Sequence, residues 1–235
     1  MYTWMTLASA VDLSQLEQHI DPEYAPKYVA AKLAAGFSDA VKGILIESNY
    51  IDKDYRSTYY NFYSKKGRRY RPNCVRLHFF DGTVSFDEPT LKLSTPDHRL
   101  TDHYYGFMVL RPTGVATIGR SVVTPDVRRG AIGFIIEACH KVHVLGHTLT
   151  IHGFPSMDQH IDIAACAHAA CWSILRHYSE RYNNYREYRT HDITMLAQQF
   201  DPGGFIPSRG LALSQAERVF QEAGTFPKLS HCQLK

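Results

Sequence analysis

The sequence predicts an α+β chain, with a mixed α/β module over residues 1–152 and a helical segment over 153–235. Three observations carry that prediction. From 43 to 152, apolar residues fall in short runs of strand length separated by turn signals. The stretches on either side of that region show helical spacing instead. Finally, 163–175 is apolar at every position except His168 and Ser173, the pattern of a helix that meets core on every side. No repeat, low-complexity tract or flexible linker interrupts the chain, so the two parts are expected to pack together.

Taken in order, residues 10–19 and 23–41 read as helices, the second announced by Asp21-Pro22. The run 43–47 has strand character, and Asp54 is placed to cap a tyrosine-rich helix over 55–65. The loop 65–72, with Lys65, Lys66, Arg68, Arg69 and Arg71, is the most basic stretch in the chain. Basic residues interleaved with tyrosine can grip a nucleic-acid strand, although a solvated turn has the same composition. Strands are expected at 74–80 and 83–86, joined as a hairpin by Asp81-Gly82. Further strands are expected at 104–110 and 118–123, and a second hairpin at 141–145 and 148–152 around Gly146-His147. Residues His140, His143, His147 and His152 crowd this hairpin, but no carboxylate or cysteine stands at a metal-ligand spacing beside them, and no metal or other cofactor is expected.

Composition narrows the function classes. A formal charge of +3 over 235 residues is too small to drive binding to nucleic acid or a membrane surface. No apolar run approaches a membrane span, and the N-terminus lacks the basic region of a signal peptide. Five cysteines, an odd number with no Cys-x-x-Cys pair, suit a reducing compartment, and a cytoplasmic location is expected.

The chemistry concentrates in 159–178. Asp162 can cap the apolar helix, and Cys166 then falls in its first turn. There the unpaired backbone N–H groups and the helix dipole favour a thiolate and offer an oxyanion donor. Gln159, on the loop entering the helix, carries a side-chain amide that can supply a second donor. A buried structural cysteine in an alanine-rich helix has the same local sequence. Cys171, followed by Trp172, is the rival thiol, but it lies further into the helix. His168 falls on a different face from Cys166.

Gln159 together with Cys166-Ala167-His168-Ala169-Ala170-Cys171-Trp172-Ser173-Ile174-Leu175-Arg176-His177-Tyr178 resembles the cysteine motif of the bacteriocin-processing-peptidase-like (C39-like) branch of papain-fold peptidases. Asp192 to Phe200 looks like that family's second helix. Gly210 to Gly224 looks like its third, with Ser214 and Glu217 as a capping box. The resemblance covers about 155–227 and implies the helical half of a papain-like fold. It implies a cysteine hydrolase, peptidase-related, acting on a peptide or protein, with Cys166 as nucleophile and Gln159 in the oxyanion hole. Gln159 stands one residue further upstream than the family's usual spacing, which leaves His160 or Asp162 as alternatives.

The family also implies a histidine opening an apolar strand after the helices, and no such strand follows Gly224. His231 is the candidate base in that region, with His152 and His191 as others. Three readings follow: a chain shortened from a longer one, a site completed by another chain or by the N-terminal module, or a non-catalytic papain-like interaction module. If the N-terminal strands leave the central helix uncovered, Trp172 and Leu175 form an exposed apolar patch, and a protein partner or a homo-oligomer is expected.

Overall fold

Residues 1–8, 10–87, 90–93, 97–130, 132–158, 166–197 and 211–228 are described by a computed structural model. The elements run β1 (Tyr2–Thr6), α1 (Leu16–His19), α2 (Pro26–Gly36), β2 (Gly43–Tyr50), α3 (Lys53–Asn61), β3 (Cys74–Phe80), β4 (Phe86–Asp87) and β5 (Lys92–Leu93). They continue with β6 (Tyr104–Leu110), β7 (Ile118–Val123), β8 (Ala138–Val144), β9 (His147–Gly153), α4 (Cys166–Arg181), α5 (Thr190–Leu196) and α6 (Leu213–Glu222). Helices and sheets are thus mixed, and every described strand pair is antiparallel.

One five-stranded sheet organises the N-terminal part, in the order β1-β2-β3-β6-β7. Its central strand, β3, is buried at all positions because both faces of the sheet are covered. Val75, Leu77 and Phe79 face a cluster with Leu16, Val29, Leu33, Ile44 and Ile46. The alternate residues Cys74 and Phe80 face a second cluster, built with Tyr55 of α3 and Val142, Val144, Leu149 and Ile151 of the β8–β9 hairpin. Arg76 and His78 share that second face by the period of two along a strand. A third cluster joins α4, α5 and α6 through Cys171, Trp172, Leu175, Ile193 and Val219.

Several local expectations need correction. Residues 83–86 do not pair with β3, because β2 and β6 already occupy both of its edges. The Asp81 carboxylate instead turns the chain away, accepting from the Thr83 N–H (2.7 Å) and meeting His103 Nδ1 (2.8 Å). Phe86 and Asp87 then pair with Leu93 and Lys92. The helix expected over 23–41 stops at Gly36, where Phe37 turns extended and packs edge-on against Phe79. Residues Ala10–Gln15 form a 3₁₀ helix ahead of the single turn of α1.

At α3 the cap is Asp52, whose Oδ1 accepts from the Tyr55 N–H (2.9 Å), while Asp54 turns into the interior. At α6 the reach-back comes from Gln215, which accepts from the Ala212 N–H (2.8 Å), in place of the Ser214–Glu217 box. No described helix is long and apolar enough to cross a membrane.

Candidate functional site

Helix α4 is described from Cys166 to Arg181. The segment leading towards it is held against β7 of the sheet. Ser156 and Ser121 exchange backbone hydrogen bonds in both directions (2.8 and 2.9 Å), and the Asp158 N–H donates to the Ile118 carbonyl (2.9 Å). Arg111, buried, donates from Nη2 to the Asp158 carbonyl (3.2 Å), and the Tyr28 hydroxyl donates to Asp158 Oδ2 (2.7 Å). The backbone is therefore anchored up to the residue before Gln159. Gln159, His160, Asp162 and His231 lie outside the described residues, as does the side chain of Cys166.

Over 167–175 the expected all-round burial gives way to a one-sided pattern: Ala170 is exposed, and Ser173 and Ile174 are half-buried. Cys171 is in the core, and burial pushes its thiol up to about 11. It is therefore a neutral packing group at neutral pH. His168 is fully buried with neither ring nitrogen hydrogen-bonded among the described residues, and burial lowers its pKa. At 100° per residue it sits about 200° round the helix from Cys166, on another face.

The opposite flank of α4 is polar and buried. Trp172 and Arg176, one turn apart, both reach Asp54 on α3. The indole N–H donates to Oδ1 (3.0 Å), and Arg176 Nη2 donates to Oδ1 (2.9 Å) and Oδ2 (3.1 Å). Arg176 also donates to the Tyr188 carbonyl (3.2 Å) and pairs with Glu187, whose other oxygen meets Lys53 Nζ at 2.5 Å. Burial raises the Asp54 carboxyl and the Arg176 charge opposes that rise. Trp172 and Leu175 are 0% and 1% exposed, so the apolar patch expected there is covered within the chain.

Compared with known proteins, the chain matches no family model, no curated protein and no solved structure.

The hairpin β8–β9 borders the far end of α4. Arg181 donates to the Glu137 carbonyl (3.3 Å), and His140 Nδ1 lies 3.9 Å from Glu180 Oε1. Glu180 is about 21 Å along the helix axis from Cys166 at 1.5 Å per residue, so His140 is no base for that thiol. His177 packs on Phe154, about 16 Å along the same axis. The hairpin imidazoles are also split between its faces: His140 points inward, while His143 and His152 lie on the solvent side, four ladder positions apart. Among the described residues no three His, Cys, Asp or Glu side chains come together as a metal site.

A second polar cluster, missed in the sequence, lies under the same hairpin. Glu47 on β2 accepts from Arg76 Nε (2.6 Å) and the Tyr2 hydroxyl (2.8 Å), and lies 3.4 Å from His78 Nε2. His78 Nδ1 meets the Tyr104 hydroxyl at 2.9 Å, and Arg76 Nη2 donates to the His143 carbonyl (2.8 Å). Burial pulls His78 down to about 4, with the Glu47 hydrogen bond opposing. Glu47 itself ends below its ordinary value: burial raises it, but His78, Arg76 and Tyr2 together outweigh that. The signal was present in two polar residues, Arg76 and His78, inside a strand otherwise apolar.

The basic loop is organised from within. Arg71 pairs with Asp21 and Glu23, Lys66 lies 4.2 Å over the Phe62 ring and Arg68 lies 5.3 Å over the Tyr70 ring.

Proposed function

We propose that this chain is a papain-like thiol hydrolase, peptidase-related, with Cys166 as nucleophile. The observation that carries the proposal is Cys171, which burial keeps neutral in the core and so leaves Cys166 as the candidate thiol of α4. In this mechanism the Cys166 thiolate attacks a carbonyl carbon of a peptide or protein. The developing oxyanion takes hydrogen bonds from the Cys166 N–H and the Gln159 amide. Collapse expels the amine and leaves an acyl-thioester, which water hydrolyses. His231 is the candidate base that receives and returns the proton. The five hydrogen bonds holding 156–158 to β7, Arg111 and Tyr28 support the reading, because they fix the backbone up to the residue before Gln159.

The test is labelling with iodoacetamide near neutral pH, followed by peptide mapping. It is done in a Cys139→Ser background because Cys139 is the exposed thiol among the described cysteines. Label should appear on Cys166, disappear in Cys166→Ala and persist in Cys171→Ala. Equal labelling with and without Cys166 sinks the proposal.

A second reading, a non-catalytic interaction module, has its own observation. Ile132 and Phe134 are 97% and 94% exposed on one segment, an unusual pairing for large apolar side chains. In that case Cys166→Ser leaves every biological readout unchanged.

A further inference from the structure

We propose that Cys139 and His152 form a thiol–imidazole pair on the solvent face of the β8–β9 hairpin, a site at which a small disulfide attaches to the chain by thiol–disulfide exchange. The argument begins at the turn. Leu145 and Gly146 both have positive φ (49° and 85°), the signature of a two-residue type I′ turn. Such a turn closes on a hydrogen-bonded pair, here Val144 and His147.

Pairs alternate from there along an antiparallel ladder, so His143–Thr148, Lys141–Thr150 and Cys139–His152 are the non-hydrogen-bonded ones. Pairs of that kind bring their Cα atoms to about 4.5 Å and their side chains closest together. The first of them shows the effect directly: His143 Nδ1 reaches Thr148 Oγ1 across the strands at 3.1 Å.

Cys139 and His152 are both exposed, with Lys141 as the exposed cation one pair along. The other described thiols, Cys74 and Cys171, are buried and raised by burial. Cys139 is therefore the exposed thiol among the described cysteines, with an imidazole directly opposite it on the ladder.

The step balances without a further oxidant. The Cys139 sulfur attacks one sulfur of the incoming disulfide as His152 takes the thiol proton. The new S–S bond forms, the old one breaks, and the departing thiolate receives the proton from the imidazolium. The products are the mixed disulfide at Cys139 and one free small thiol. The site is independent of the reading of Cys166, from which it is separated by the length of α4.

The test incubates the full chain with oxidised glutathione at neutral pH and follows intact mass over time. Peptide mapping then locates the adduct, and thermal melting checks that each variant folds. The expected result is a glutathionyl group on Cys139, lost in Cys139→Ser. The rate should fall about 3–10-fold in His152→Ala, less than the factor of about 10² for an enclosed general base because both groups are open to water. His143→Ala, on the same face but four ladder positions away, should react at the parent rate. Mapping that finds no adduct on Cys139 overturns the proposal, as does a Cys139 rate in His152→Ala equal to the parent or a Cys139 rate in His143→Ala reduced as much as that in His152→Ala.

Discussion

Replacing Asp54 with alanine strikes the seam between the N-terminal sheet region and α4. Asp54 is 3% exposed and is the shared acceptor for Trp172 Nε1 and Arg176 Nη2. Truncating it leaves a guanidinium that is 0% exposed with Glu187 as its remaining carboxylate, and strips the partner from a buried indole N–H. Removing one member of a buried ion pair costs about 3–5 kcal/mol. Glu187 stays in place with its side chain 33% exposed, which puts the expected loss toward the lower end, about 3–4 kcal/mol.

An unfolding entropy of about 2.1 cal/mol/K per residue over 235 residues gives ~0.5 kcal/mol/K, so each kcal/mol moves Tm by about 2 °C. Differential scanning calorimetry should therefore show a fall of about 6–8 °C. Replacing the pair together, with Asp54→Leu and Arg176→Met, removes both charges and should recover part of the loss, to within about 2 kcal/mol of the parent, since the Trp172 N–H stays without its acceptor. The reasoning is refuted if Asp54→Ala melts at the parent temperature, or if the double replacement is as damaging as the single one.

Two further outcomes follow from groups on the sheet. His78 stays neutral in the fold, since burial holds it at about 4, whereas the unfolded chain takes up the proton near 6.5. Its contribution is fully present above about pH 6.5 and is lost as pH falls toward 4. Urea unfolding should lose about 2 kcal/mol between pH 7 and pH 5 through this group. His140, also held near 4 by burial, acts in the same direction, and His78→Gln should flatten the slope in part. Gly106 lies at φ 120°, and a Cβ built there stands 2.1 Å from the Val122 carbonyl oxygen. Gly106→Ala should cost about 3 kcal/mol or more, read as a lower urea midpoint, because neither the conformation nor the β6–β7 spacing can yield cheaply.

What could be read in the chain and what could not divides by the range of the deciding interaction. Strands β3, β6 and β7 and the β8–β9 hairpin announce themselves as short apolar runs with local turn signals, and the structure places them accordingly. The Asp81-Gly82 signal was equally sound as a turn, but pairing depends on which strand edges are free, and β3 has none. The same limit governs the two carboxylates at the start of α3. Asp52 and Asp54 are equivalent as cap residues by type. What separates them is a tryptophan and an arginine more than a hundred positions later, whose spacing of four puts both on one face of α4. That face was read as apolar because Trp172 and Leu175 dominate it, and an apolar face without a visible cover argues for a partner. A buried carboxylate from α3 changes the inference: it satisfies the polar edge of Trp172 and the charge of Arg176, and so lets the chain cover that face itself. Helix α4 is thereby fixed against the sheet region through Asp54, while its far end at Arg181 is held to the hairpin by the Glu137 carbonyl.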